Sequence, residues 1–256
     1  LKKKILIKLS GKLIDEETFK EMIADIRLLR QQGYVIAIVH GGGKTITQQL
    51  TAQNIQSEFK NGLRVTTAEA IKIVEMVLAG QINKQLTRWL NAARLPAVGI
   101  SGADANLIQA IPISTELGYV GKIEKINPDV VLLCWLKEFI AIIAPTGTSP
   151  DEACLNINAD ISAGSLAAAL AVENLIFFTD TDGVLQNGQS RQTISVGEIK
   201  EFIHNGTANG GMIPKLQASQ LAKESGTQRV KIGAWRGKGT LVEMLADGKI
   251  GTEIIG

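Results

Sequence analysis

Cysteine is nearly absent from this chain: Cys134 and Cys154 are its two thiols, they form no CxxC, and both sit in apolar or mixed surroundings. That argues against a disulfide framework or a cysteine-built metal site and fits reduced thiols in a cytoplasmic protein. Aromatics supply only 4% of 256 residues against 45% hydrophobic residues overall, so the core is built of Ile, Leu, Val and Ala. Neither sign of charge dominates. The net charge is +2, from 27 basic and 25 acidic residues, and bulk electrostatics gives no case for nucleic acid or an anionic membrane. Long apolar runs are missing as well. Lys2-Lys3-Lys4 before Ile5-Leu6-Ile7 opens like a signal peptide, but the apolar stretch stops at Lys8. No window approaches the roughly 18 apolar residues of a membrane span. No linker, repeat or low-complexity tract divides the chain. No GxGxxG follows the first apolar runs, which argues against a Rossmann dehydrogenase.

What is present is an alternation of short apolar runs with longer amphipathic ones. Strands are predicted at Lys4–Leu9, Tyr34–Val39, Ala97–Ser101, Ile140–Ala144, Asn174–Thr179 and Arg229–Ala234. Helices are predicted near 15–32, 44–53, 67–94, 128–138, 161–172, 195–204, 212–225 and 239–246, with Gly33, Gly226 and Gly248 as C-caps. This rhythm predicts an α/β three-layer αβα sandwich around a mostly parallel sheet, in two lobes that share the sheet, with a soft boundary near 175. Residues 105–125 break the rhythm and read as short strands and turns over one edge.

Five segments carry candidate chemistry. Lys8 ends an apolar strand before Ser10-Gly11, where open α/β sheets collect ligands, and a lysine there suits a phosphoryl group. The plain alternative is an edge strand with Lys4 and Lys8 facing solvent. His40-Gly41-Gly42-Gly43-Lys44-Thr45 joins a strand to a helix, and its glycines can adopt backbone conformations closed to other residues and bring N–H groups onto an anion. Its Gly-Lys-Thr ending resembles a Walker A loop, but position 38 is Ile where that motif needs glycine. Lys44 and Thr45 therefore read as ordinary helix-start residues, and His40 as a packed histidine rather than a base. Asn61-Gly62-Leu63-Arg64-Val65-Thr66 offers a planar guanidinium fork for a carboxylate or phosphate. Asn156, Asn158 and Asp160 alternate in an extended segment and converge before a helix, either as a binding site with lysine-orienting power or as caps. Thr179-Asp180-Thr181-Asp182-Gly183-Val184 leaves a buried strand with two carboxylates, a plausible border for nucleotide and Mg²⁺. Asn209-Gly210-Gly211-Met212-Ile213-Pro214-Lys215 then opens a helix with a cation set against its dipole, which either calls for an anionic ligand or is a solvated lysine tolerated at small cost.

Together these segments, with Gly118-Tyr119-Val120-Gly121, resemble the amino acid kinase superfamily and, within it, the N-acetylglutamate kinases. They occur in family order across nearly the whole chain. The resemblance implies an N-terminal lobe, 1–174, for the acceptor and the dimer interface, and a C-terminal lobe, 175–256, for ATP. It implies ATP- and Mg²⁺-dependent phosphorylation of the γ-carboxylate of N-acetyl-L-glutamate, a step of arginine biosynthesis, with the Mg²⁺ carried by ATP. Gly42, Gly43, Asn156, Asn158 and Arg64 would hold the acceptor, Arg64 by its α-carboxylate. Lys8 and Lys215 would stabilise the transferring group, with Asp160 orienting both. Lys8, Ser10, Gly11, Asp180, Thr181, Asp182, Gly183, Val184, Leu185, Thr207, Ala208, Asn209, Gly211, Met212 and Lys215 would border the nucleotide.

The chain departs from the family pattern at Ser10, where a second glycine is usual, at Lys12, and at Ser101-Gly102-Ala103-Asp104-Ala105. The chain as given lacks the long N-terminal helix that arginine-inhibited hexamers use, so with Leu1 near the natural start the expectation is an arginine-insensitive homodimer. A sister kinase acting on carrier-bound aminoadipate or glutamate, or on carbamate, uridylate or aspartate, is one rival. A non-catalytic regulatory binder on the same fold is the other, with Ser10 its best support.

Overall fold

The computed structural model describes residues 2–60, 62–246 and 250–256, and of Lys12 the backbone alone. The expected cap at Gly248, and Asn61 of the arginine segment, lie outside the described residues.

Eight strands form the main sheet: β1 Lys3–Leu9, β2 Tyr34–His40, β3 Ala97–Ser101, β4 Ile140–Ala144, β5 Asn174–Thr179, β6 Thr193–Ser195, β7 Arg229–Ala234 and β8 Thr252–Ile255. Their order is β6-β8-β7-β5-β1-β2-β4-β3, and among these neighbours β7 and β8 alone pair antiparallel. The predicted strands are therefore all present, and β6 and β8 are added. Both are short, four residues or fewer, which leaves little periodicity to read. β1 is central, hydrogen-bonded to β2 and β5, so the edge-strand alternative for Lys8 fails.

The helices are α1 Glu16–Gln31, α2 Gly43–Ala52, α3 Ala68–Glu75, α4 Asn83–Ala92, α5 Asp129–Leu136, α6 Ala159–Leu170, α7 Val196–His204, α8 Met212–Glu224 and α9 Thr240–Leu245. Local chemistry sets several of their ends. Asp15 accepts from the Thr18 N–H at the start of α1, Ser195 and Glu198 form a reciprocal capping box on α7, and Gly33 follows α1 at φ 87°. The single helix expected over 67–94 is α3 and α4 joined through a π-helical segment, Met76–Ile82.

A second sheet of four strands, in the order Cys154–Asn156, Thr146–Thr148, Ile108–Pro112 and Gly121–Ile126, supplies the hairpins expected over 105–125. Two apolar clusters cover the two faces of the main sheet. Alternation along β1 sends Ile5, Ile7 and Leu9 to one face, and Leu6 to the other with Leu166 and Leu216 of α6 and α8. Lys8 shares the parity of Leu6, and so points towards α6 and α8. On β2, His40 shares the parity of Ile36 and Ile38 and points the opposite way.

Candidate active site

At the carboxyl ends of β1, β2 and β5 three buried ionic side chains meet. Lys8 Nζ lies 2.8 Å from Asp160 Oδ1, and Lys215 Nζ lies 3.1 Å from Asp160 Oδ2. All three residues are at most 8% exposed, so Lys215 is no solvated surface lysine. Burial holds the Lys8 ammonium below its usual pKa of 10.5, with Asp160 the strongest opposing influence and Lys215 adding to the depression. Lys215 also donates to the Gly211 carbonyl at 3.1 Å. Part of the negative charge that a lysine near the start of α8 calls for is thus Asp160 itself.

Asn158 caps α6, its Oδ1 accepting from the Asp160 N–H at 2.9 Å and the Ile161 N–H at 3.1 Å. The three alternating polar residues therefore divide their roles. Asn156 lies in a strand, Asn158 caps, and Asp160 sits in the first turn of α6 rather than in an extended run. All three still line one cavity of about 190 Å³, with Gly41, Gly42, Gly43, Leu63, Arg64 and Val120.

Arg64 is 6% exposed and its basicity is lowered by burial. It donates to the Gly43 carbonyl at 3.0 Å, to Thr47 Oγ1 at 2.8 Å and to Ser57 Oγ, and it stacks 4.6 Å from the Phe59 ring centroid. Among the described residues no carboxylate pairs with it, which leaves this buried cation suited to an anionic ligand. Its segment is tied to Asn156, whose amide donates to Thr66 Oγ1 at 3.2 Å while Thr66 donates to the Arg64 carbonyl at 2.8 Å. Gly118, at φ 62°, lets the next segment pass close by, since a Cβ there would lie 2.3 Å from the Thr66 carbonyl oxygen.

The glycine loop is built for a different reason than the one expected. None of Gly41, Gly42 and Gly43 has positive φ, and Gly42, at φ −175°, has extended backbone. What Gly42 lacks room for is a side chain: its Cβ would lie 2.6 Å from Leu78 Cδ2 and 2.8 Å from Ile82 Cδ1, both in the π-helical segment. Gly43 faces open space. The same segment leads into Asn83, whose amide donates to the Ile100 and Ile142 carbonyls at 3.1 and 2.9 Å and approaches His40 Nε2 at 3.4 Å. His40 Nδ1 is 3.0 Å from the Gly41 carbonyl, and complete burial lowers the imidazole pKa from 6.5 to about 4. His40 is a packed, neutral histidine.

A second cavity, of about 780 Å³, is lined by Lys8, Ser10, Gly11, Asp15, Lys44, Thr179, Asp180 and Lys215. Ser10 has φ −73° and ψ 160°, a conformation open to any residue, and no atom outside the neighbouring chain lies within 4 Å of where a Cβ of Gly11 would sit. Lys44, read from sequence as an ordinary helix-start residue, lines this cavity with Lys8 and Lys215. Thr179, from the segment read as a nucleotide border, is here as expected, whereas Asp15 and Lys44 were missed, and the approach of loops distant in sequence gave no local signal for them.

Other expected nucleotide neighbours are placed differently. Val184 and Ala208 are core residues. The Val184 N–H is committed to Thr252 Oγ1 and its carbonyl to the Arg191 N–H, while the Ala208 N–H is committed to the Phe202 carbonyl. In this structure neither offers an exposed side chain or an uncommitted N–H. Asp182 pairs with Arg236 at 3.0 Å, and Thr181 donates to the Gly183 carbonyl. Gly183, Leu185, Thr207, Asn209 and Met212 do not line the cavity with Lys8 and Lys215, whereas Gly211 reaches it through its carbonyl contact to Lys215.

A buried carboxylate holding two lysines between two cavities is chemically suited to receiving and transferring an anionic group. The chain belongs to the amino acid kinase family, whose sequence profile matches residues 3–234. Among its relatives are the acetylglutamate kinase of Bacillus cereus (strain AH187), 42% identical over 89% of this chain and 88% of that one, and that of Nautilia profundicola, 42% identical over 98% and 91%. Among solved structures, a Streptococcus mutans UA159 protein superposes with a TM-score of 0.83 at 28% identity, covering 98% of both chains. An N-acetylglutamate synthase of Neisseria gonorrhoeae, solved with coenzyme A and N-acetyl-glutamate, gives 0.86 at 26% identity, covering 99% of this chain and 59% of that longer one.

Proposed function

We propose that this chain transfers the γ-phosphoryl group of MgATP to the γ-carboxylate of N-acetyl-L-glutamate, a step of arginine biosynthesis. The observation that carries the reading is Asp160: it lines the smaller cavity, while both lysines that it holds line the larger one. In this assignment the smaller cavity takes the acceptor, with Arg64 on its α-carboxylate and the glycine loop alongside. The larger takes the phosphates over Ser10-Gly11. The lobes 1–174 and 175–256 then correspond to acceptor and nucleotide halves, meeting at the Lys8–Asp160–Lys215 group.

The chemistry needs no general base, because the attacking carboxylate is already ionised at neutral pH. One carboxylate oxygen forms the new P–O bond as the bond from γ-phosphorus to the β,γ-bridging oxygen breaks, and ADP leaves with that electron pair. The enzyme has to align two anions and neutralise charge on the equatorial oxygens, which is what two lysines brought together from β1 and α8 would provide. Among the described residues no group of three or more His, Cys, Asp or Glu is placed to hold a metal ion, and Asp160 is already shared by two ammonium groups. In this reading Mg²⁺ enters with the substrate on the nucleotide phosphates, and Asp15 and Asp180 are the carboxylates that line that cavity. Among the described residues no helix is long and apolar enough to cross a membrane.

The test is steady-state kinetics of Lys8→Ala and Lys215→Ala. Each is expected to lower kcat by on the order of a hundredfold or more while the circular dichroism stays native. A folded variant with wild-type kcat removes that lysine from the transfer step.

A further inference from the structure

The Lys215–Asp160 contact joins two helices whose approach is governed one turn further in. Asp160 and Gly164 are four residues apart on α6, and Lys215 and Ala218 are three apart on α8, so each pair shares a helix face. Gly164 meets Ala218 there. A Cβ on Gly164 would lie 2.7 Å from the Ala218 carbonyl oxygen, 2.8 Å from its Cα and 2.8 Å from its Cβ. Non-bonded carbon atoms rest at about 3.5–4.0 Å. An alanine at 164 therefore drives the helices apart by roughly an ångström, and two of the three obstacles are backbone atoms that no rotamer change removes.

Nothing else asks for glycine at 164. It lies inside α6 without a positive φ, where glycine weakens a helix relative to alanine. Nor can α6 retreat, because it packs against β1, β2 and the strand Gly121–Ile126 and its buried residues include Ala163, Leu166 and Ala167. The strain falls on the α6–α8 distance, and so on the 3.1 Å contact between Asp160 and Lys215. Around Lys215 the rest of the geometry is fixed: its ammonium donates to the Gly211 carbonyl, and its own carbonyl accepts from Ser219 Oγ at 2.7 Å.

We propose that Gly164 and Ala218 form a positioning seam that sets the Asp160–Lys215 distance, and through it the placement of Lys215 against Lys8 at the transferring phosphoryl group. The inference rests on the proposed kinase activity. Displacements of about an ångström at a reacting centre cost up to a hundredfold in rate.

The experiment compares full-length wild type, Gly164→Ala and Ala222→Gly in an ADP-release assay, well below their melting temperatures. Gly164→Ala is expected to lose at least tenfold in kcat with KM for N-acetyl-L-glutamate changed less than twofold, because Arg64 and the glycine loop are carried by elements other than α6 and α8. Ala222→Gly weakens the same α8 without crowding α6 and is expected to keep kcat within twofold. If Gly164→Ala does not fold, Ala218→Ser crowds the seam from the other side by one oxygen and is expected to show the same split. A folded seam variant with wild-type kcat overturns the proposal, as does an equal loss in Ala222→Gly, which would make the effect one of general stability. A wild type that releases no ADP with N-acetyl-L-glutamate refutes the kinase reading itself, and the seam's role with it.

Discussion

Replacing Asp160 by Asn keeps the shape of the side chain and removes the charge that two buried lysines share. The structure sets the size of the effect. At an effective dielectric constant of about 20, contacts of 2.8 and 3.1 Å each carry roughly 5–6 kcal/mol of gross attraction, offset by desolvation of the three groups. Removing one partner leaves that desolvation uncompensated, and the loss of folding stability is expected at about 3–5 kcal/mol. Catalysis should fall for a second reason. Burial already depresses the Lys8 pKa and Asp160 is the largest influence opposing it, so in Asp160→Asn the Lys8 ammonium deprotonates at lower pH still. The alkaline limb of the kcat profile then moves to lower pH, while kcat at its optimum drops on the order of a hundredfold as the lysines lose their common anchor. Urea unfolding gives the first quantity, and ADP release between pH 6 and 10 gives the second. Wild-type kcat with an unmoved alkaline limb would refute the idea that Asp160 holds both lysines in their working state.

Arg64→Ala is expected mainly to raise KM for N-acetyl-L-glutamate, by tenfold or more, because a charge-assisted pair to the acceptor is lost; unchanged KM takes Arg64 out of the site. His40 makes a claim about stability. Its folded pKa of about 4 lies below the unfolded 6.5, so in that interval the unfolded chain binds a proton that the native state refuses. The contribution is complete above pH 6.5 and is lost as pH falls towards 4, by roughly 3 kcal/mol. Unfolding free energies at pH 7 and 4.5 should therefore diverge more for wild type than for His40→Asn, and equal losses in the two would contradict the neutral, buried imidazole. The same neutrality predicts no acid limb near pH 6.5 in kcat.

Much of this was legible in the sequence where one segment carried its own signal. The runs Ile140–Ala144 and Asn174–Thr179 are buried on both faces of a parallel sheet, and read directly as strands. Lys8 before Ser10-Gly11, Arg64 in its Asn-Gly-Leu-Arg-Val-Thr context, and Asp160 with Lys215 pointed to the site for the same reason. What stayed hidden depends on elements meeting across the fold. Gly42 reads as a flexible turn residue, and its cause is Leu78 and Ile82 from a π-helical segment that local pattern does not distinguish from an α-helix. Lys44 reads as a helix-start lysine until β1 and α8 bring Lys8 and Lys215 to the same cavity. Val184 and Ala208 look like loop residues, yet tertiary hydrogen bonds and packing consume their polar and apolar surfaces alike. Gly164 is one small residue among several in α6, and only its distance to the Ala218 backbone sets it apart.

The most direct measurement is ADP release by the purified chain with MgATP and, in turn, N-acetyl-L-glutamate, glutamate, aspartate, carbamate and UMP, with hydroxylamine present to trap acyl phosphate. The account predicts turnover with N-acetyl-L-glutamate above all the others and one hydroxamate formed per ADP. Turnover confined to carbamate or UMP, or ADP release without hydroxamate, would contradict it.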